Sequence, residues 1–76
     1  MNDRIGDEIM SLEKVLTVER AKNGNMSIDE MCDKLGVSRS AYYGWIRSNG
    51  ASLKASTVKQ IAELFNVSPD YILQSL

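Results

Sequence analysis

Gly36-Val37-Ser38 must close one helix and open the next within three residues. Ahead of it, Ser27-Ile28-Asp29-Glu30 reads as a capping box: the serine hydroxyl accepts from the Glu30 amide, and the glutamate reaches back to the amide of Ser27. Met26 is placed to staple that start, and Met31, Cys32 and Leu35 form one apolar stripe. Gly36 stands where a left-handed residue is wanted at a helix C-terminus. Ser38 supplies the N-cap of the following helix. A chain punctuated this tightly is built of short helices.

The remaining segments carry the same period. Ile5, Ile9, Leu12 and Leu16 recur at i, i+4, i+7 and i+11, which predicts a first helix over about 5–22, broken by Asn23-Gly24-Asn25. Helices two and three are expected over about 28–35 and 39–48, the latter ended by residues 48–52. Val58, Ile61, Ala62 and Phe65 mark a fourth over about 55–65, closed by Asn66. Ser68-Pro69-Asp70 opens a fifth over about 69–75, with a cap, a proline at the first helical position and an acid at the positive end of the dipole. No alternating run marks a strand. The expectation is an all-α fold of five helices around one core, a single domain over 1–76, because 76 residues leave no room for a second core.

Several function classes fall away. No apolar run approaches the ~20 residues that a membrane helix needs, and the polar start is unlike a signal peptide, so a cytoplasmic protein with no membrane partner is expected. One cysteine and no histidine exclude an internal disulfide and argue against a zinc site. No nucleophile–base pair or phosphate loop is visible, so no enzyme, cofactor or small-molecule substrate is expected. Cys32 reads as a small buried thiol, the methionines Met10, Met26 and Met31 as gap fillers, and Asp29, Glu30 and Asp33 as a cap with a solvated face. Arg20 has three candidate partners: Glu19, Glu30 or a phosphate.

The net charge of −1 argues against a nucleic-acid partner until its distribution is considered. From Lys34 to Ala62 the chain has five bases (Lys34, Arg39, Arg47, Lys54, Lys59) and no acid. The rest has four bases and ten acids. Either this is chance in a small protein, or it is a basic face on an acidic body, an arrangement that attracts phosphates without an overall positive charge.

The third helix lies inside this run. At about 100° per residue, Tyr42, Trp45 and Ile46 share one stripe and point inward. Arg39, Ser40, Tyr43, Gly44 and Arg47 share the opposite side. A solvated face would mix glutamate with lysine and avoid glycine, which costs ~1 kcal/mol within a helix. This face offers forked donors, a hydroxyl, an aromatic ring and a bare backbone. Those groups suit base edges and phosphates, although tyrosine and arginine also anchor protein interfaces.

Residues 27–47 resemble the helix-turn-helix of the lambda-repressor and Cro family, from the capped second helix through Gly36-Val37-Ser38 to the third. Residues 56–73 resemble that family's fourth and fifth helices, so the resemblance covers roughly residues 9–76. It implies a DNA-binding transcription regulator whose third helix enters the major groove of an operator by its N-terminal half. By resemblance, Arg39, Ser40, Tyr43 and Gly44 face base edges. Ser27, Ile28, Arg47, Asn49 and Lys54 meet the phosphate backbone. The family often has glutamine where this chain has Ile28, and a shorter glycine turn in place of residues 48–52.

A homodimer is expected through Tyr71, Ile72, Leu73 and Leu76, more apolar surface than one short helix buries in so small a core, with one side of the helix packing inward and the other meeting the partner. The rival reading is an antirepressor or modulator that keeps this fold and binds a partner repressor protein. The acidic pI of 5.2, Ile28 and the outward Tyr43 speak for it.

Overall fold

The computed structural model describes residues 11–76. Five helices lie among them: α1 Leu12–Lys22, α2 Ile28–Leu35, α3 Arg39–Arg47, α4 Ala55–Phe65 and α5 Pro69–Leu73. No strand occurs among the described residues. The fold is all-α, with α2 and α3 forming the helix-turn-helix. The expected start of the first helix, with Ile5, Ile9 and Met10, lies outside the described residues.

Serine sets four of the five helix starts. The hydroxyls of Ser11, Ser27, Ser38 and Ser68 accept from the amides of Lys14, Glu30, Ala41 and Tyr71, respectively, at 3.0–3.3 Å. Each such cap contributes about 1 kcal/mol. Of the capping box only the serine half forms: no bond returns from Glu30 to the Ser27 amide. The α4 start differs, because Lys54 is its N-cap residue and offers no side-chain acceptor. Gly36 takes up the left-handed backbone at φ 71°, and Asn66 does the same at φ 57°. Both let the N-cap of the next helix, Ser38 or Ser68, follow two residues later.

Every described helix contributes to one core: Leu12, Val15 and Leu16 from α1, Met31 and Cys32 from α2, Tyr42 and Trp45 from α3, Val58, Ile61, Ala62 and Phe65 from α4, and Ile72 from α5. Burying a side chain of this size stabilises by roughly 1.5–3 kcal/mol before entropy is counted. Ile46, expected inward with Tyr42 and Trp45, is only partly buried and packs against the rim of the core. The two tyrosines divide as expected, with Tyr42 2% and Tyr43 39% exposed. Their rings still touch edge to face, with centroids 5.5 Å apart at 85°.

The interior also holds a carboxylate. Glu19 is 3% exposed, accepts from the Tyr71 hydroxyl at 2.9 Å and lies 3.6 Å from Lys22 Nζ. A charge taken out of water needs such partners, and the Tyr71 bond also fastens α1 to α5. The donation to Glu19 is also the main cause holding the Tyr71 phenol above its ordinary pKa. Arg20 pairs with neither Glu19 nor Glu30. Its guanidinium donates to the Met26 carbonyl at 3.2 Å and to the Thr17 hydroxyl at 3.4 Å, closing the α1–α2 turn.

A second long-range tie involves Asn49, in the loop after α3. Its Oδ1 accepts from the Leu12 amide at 2.9 Å and its Nδ2 donates to the Ser75 carbonyl at 3.4 Å. Beside it, Gly50 sits at φ 90°, where a Cβ would overlap the Leu76 side chain. The loop is thereby pinned to the start of α1 and to the end of the chain beyond α5.

Candidate nucleic-acid interface

The turn between α2 and α3 fixes the presentation of α3. The Gly36 amide donates to the Asp33 carbonyl at 3.2 Å and the Val37 amide to the Cys32 carbonyl at 3.0 Å. These bonds satisfy the last carbonyls of α2 and turn the chain sharply. Burial of Tyr42 and Trp45 then sets the rotation of α3 about its axis, and the opposite side faces water.

Arg39, Ser40, Tyr43 and Arg47 are exposed on that side, with Gly44 half-buried among them. Around Gly44 the space is open: an added Cβ would meet nothing within 4 Å. The backbone there is ordinary helix, so neither packing nor a positive φ requires glycine. An open groove runs alongside, between α3 and the start of α4, lined by Val37, Ala41, Gly44, Trp45, Ser52, Lys54 and Thr57.

Lys54 stands at the uncapped start of α4, where free amides and the helix dipole add to its charge. The exposed Arg47 ends α3, and among the described residues neither it nor Lys54 makes an ion pair. Ser27 and Ile28 lie at the start of α2. The Ser27 hydroxyl accepts from Glu30 and keeps its own proton to donate. Ile28 packs partly against the core and brings no side-chain donor.

Asn49, expected on the phosphate backbone, stays exposed while its amide oxygen accepts from Leu12 and one of its N–H groups donates to Ser75. One sequence expectation is corrected here. Ile72 was expected at a dimer face, yet it is 0% exposed and belongs to the core. Tyr71 is half-buried with its hydroxyl on Glu19. Of that set, Leu73 at 49% and Leu76 at 44% exposure are the apolar groups left facing outward.

One pairing escaped the sequence reading. Asp29, in the first turn of α2, reaches Arg39 at the first position of α3, with Nε to Oδ1 at 3.1 Å. The face free of acids along the chain therefore has an acid beside it in space. The Tyr43 hydroxyl and then Asp29 hold the Arg39 guanidinium more firmly charged than usual. No cluster of acids or cysteine among the described residues could hold a metal ion, and no described helix is long and apolar enough to cross a membrane.

A family model described as helix-turn-helix matches residues 18–72, from the middle of α1 to the buried Ile72. No curated protein and no solved structure matches the chain.

Proposed function

Because the chain belongs to the lambda-repressor and Cro-like helix-turn-helix family, we propose that this DNA-binding regulator is of the Cro or phage-repressor type and works in a bacterial cytoplasm. In this reading α3 enters the major groove of an operator by its N-terminal half. Arg39, Ser40, Tyr43 and Gly44 face base edges. Arg47, Lys54, the Ser27 hydroxyl and the Ile28 amide meet phosphates. Asn49 keeps the loop in place. Leu73 and Leu76 form the centre of a homodimer contact, so that two copies of α3 address a two-fold site.

The observation that carries this reading is Gly44. A helix-weakening residue stands on the outward side of α3 where nothing inside the protein needs it. Close approach by an external body accounts for it, and flanking arginines and serines with the nearby Lys54 suit a duplex. The test is selection from a random-sequence duplex pool, followed by gel shift on the enriched site. Arg39→Ala is expected to lose roughly ten- to hundred-fold on that site and to relax its base preference. Failure of the unaltered chain to enrich any sequence would sink the proposal.

A second reading has its own support. Asp29 neutralises part of Arg39, Ile28 brings no donor to the start of α2, and Tyr43 is exposed beside them. These features suit a partner repressor protein as the target, with the chain acting as an antirepressor. That complex is expected to tolerate salt that dissociates a duplex complex.

A further inference from the structure

Asp29 and Arg39 are both well exposed, yet Asp29 Oδ1 lies 3.1 Å from Arg39 Nε. An exposed pair of this kind does little for folding. It does, however, occupy the functional face. Asp29 Oδ1 stands on the Nε side of the guanidinium as an ion-pair partner, and Tyr43, one turn along α3, flanks it. With Asp29 on the Nε side, the guanidinium can offer its two terminal Nη groups as a planar fork at the entrance of α3. Guanine presents N7 and O6 to such a fork in the major groove. A phosphate asks only for a nearby positive charge, and Asp29 offsets that charge.

We propose that Asp29 is a positioning and specificity-determining residue, which holds Arg39 for end-on contact with a guanine and weakens its attraction to phosphates at other sequences. The role rests on the reading of DNA by α3 proposed above. The cost falls on every duplex, because a carboxylate near the backbone is repelled. The gain comes only where a guanine meets the fork, since an arginine already oriented loses less freedom there. Asp29 therefore lowers overall affinity while raising the ratio between the right site and the wrong one.

The test compares the unaltered protein with Asp29→Ala and Asp29→Asn on the site enriched from a random duplex pool, on that site with each guanine replaced, and on random duplex. Asp29→Ala removes both charge and acceptor. It is expected to bind random duplex several-fold more tightly, with a log–log salt slope steeper by about 0.9, as one further phosphate contact gives. Its preference for the enriched guanine is expected to fall about five-fold or more. Asp29→Asn keeps an acceptor for Nε and is expected to gain on random duplex while keeping most of the preference. Unchanged preference in Asp29→Ala overturns the role while leaving the DNA-reading function intact. Equal loss of preference in both variants overturns it too, because charge alone would then explain the effect. If the unaltered protein enriches no sequence, the DNA-reading function falls and this role falls with it.

Discussion

Gly44→Ala is expected to make the protein more stable and worse at binding its operator. The added methyl enters open space, with nothing within 4 Å to resist it. The helix gains alanine's propensity over glycine, roughly 0.5–1 kcal/mol. For a domain of this size that raises the thermal midpoint by about 2–8 °C. In the proposed duplex contact the same methyl stands about 1.5 Å further out than the Cα it is built on, where the proposed close approach leaves no room for it. Displacing α3 in the groove or straining the contact costs roughly 1–3 kcal/mol, or about 5- to 150-fold in affinity.

Thermal melts followed by circular dichroism and gel shifts on the enriched site measure the two effects separately. A variant that is more stable and binds equally well would show that nothing approaches Gly44 closely. A variant less stable than the parent would show that the glycine serves the fold after all.

Other outcomes follow from the same geometry. Arg47→Ala and Lys54→Ala are expected to weaken selected and random duplexes by similar factors and to flatten the salt slope by about one unit each, in fluorescence anisotropy titrations. Asn49→Ala leaves the Leu12 amide without its acceptor and is expected to cost about 1–3 kcal/mol in urea unfolding with no change in that slope. Tyr71→Phe breaks the bond to the buried Glu19 and is expected to destabilise by a similar amount. Because that bond raises the Tyr71 pKa in the folded state, its contribution is fully present below the unfolded value of about 10 and is lost as pH rises through the folded one. Tyr42 and Cys32, both raised chiefly by burial, add to the same alkaline loss, so Tyr71→Phe is expected to flatten the decline above about pH 10 without abolishing it. Leu73→Glu is expected to give a monomer by sedimentation with little change in melting, and to weaken operator binding.

Local signals made much of the fold legible. Ser27, Ser38 and Ser68 act within three residues of themselves, and Gly36 and Asn66 act on their own backbone, so short-range chemistry identifies them. The division of Tyr42 from Tyr43 follows from helical period alone. What periodicity cannot see is contact between distant segments. The Asn49 side chain reaches Leu12 and Ser75, 37 and 26 residues away, and no local pattern announces that pairing. Glu19 is buried at a position where its type argues for water, and the hydroxyl that receives it belongs to Tyr71, 52 residues on. Asp29 was legible as a first-turn acid of α2 but not as the neighbour of Arg39, because the pairing depends on how two helices cross. Ile72 was misassigned because a five-residue helix is too short for its apolar residues to reveal which face is buried.

The central claim is that a duplex, and not a protein, is the principal target of the α3 face. The most direct test is the dependence of binding on salt concentration, measured by anisotropy with the enriched duplex from about 50 to 300 mM monovalent salt. Six to eight phosphate contacts in a dimer release counterions, so log affinity is expected to fall linearly with log salt at a slope of about −5 to −7. A slope near zero, or no specific duplex binding at about 50 mM salt alongside a tight salt-tolerant complex with a second repressor, would contradict the claim.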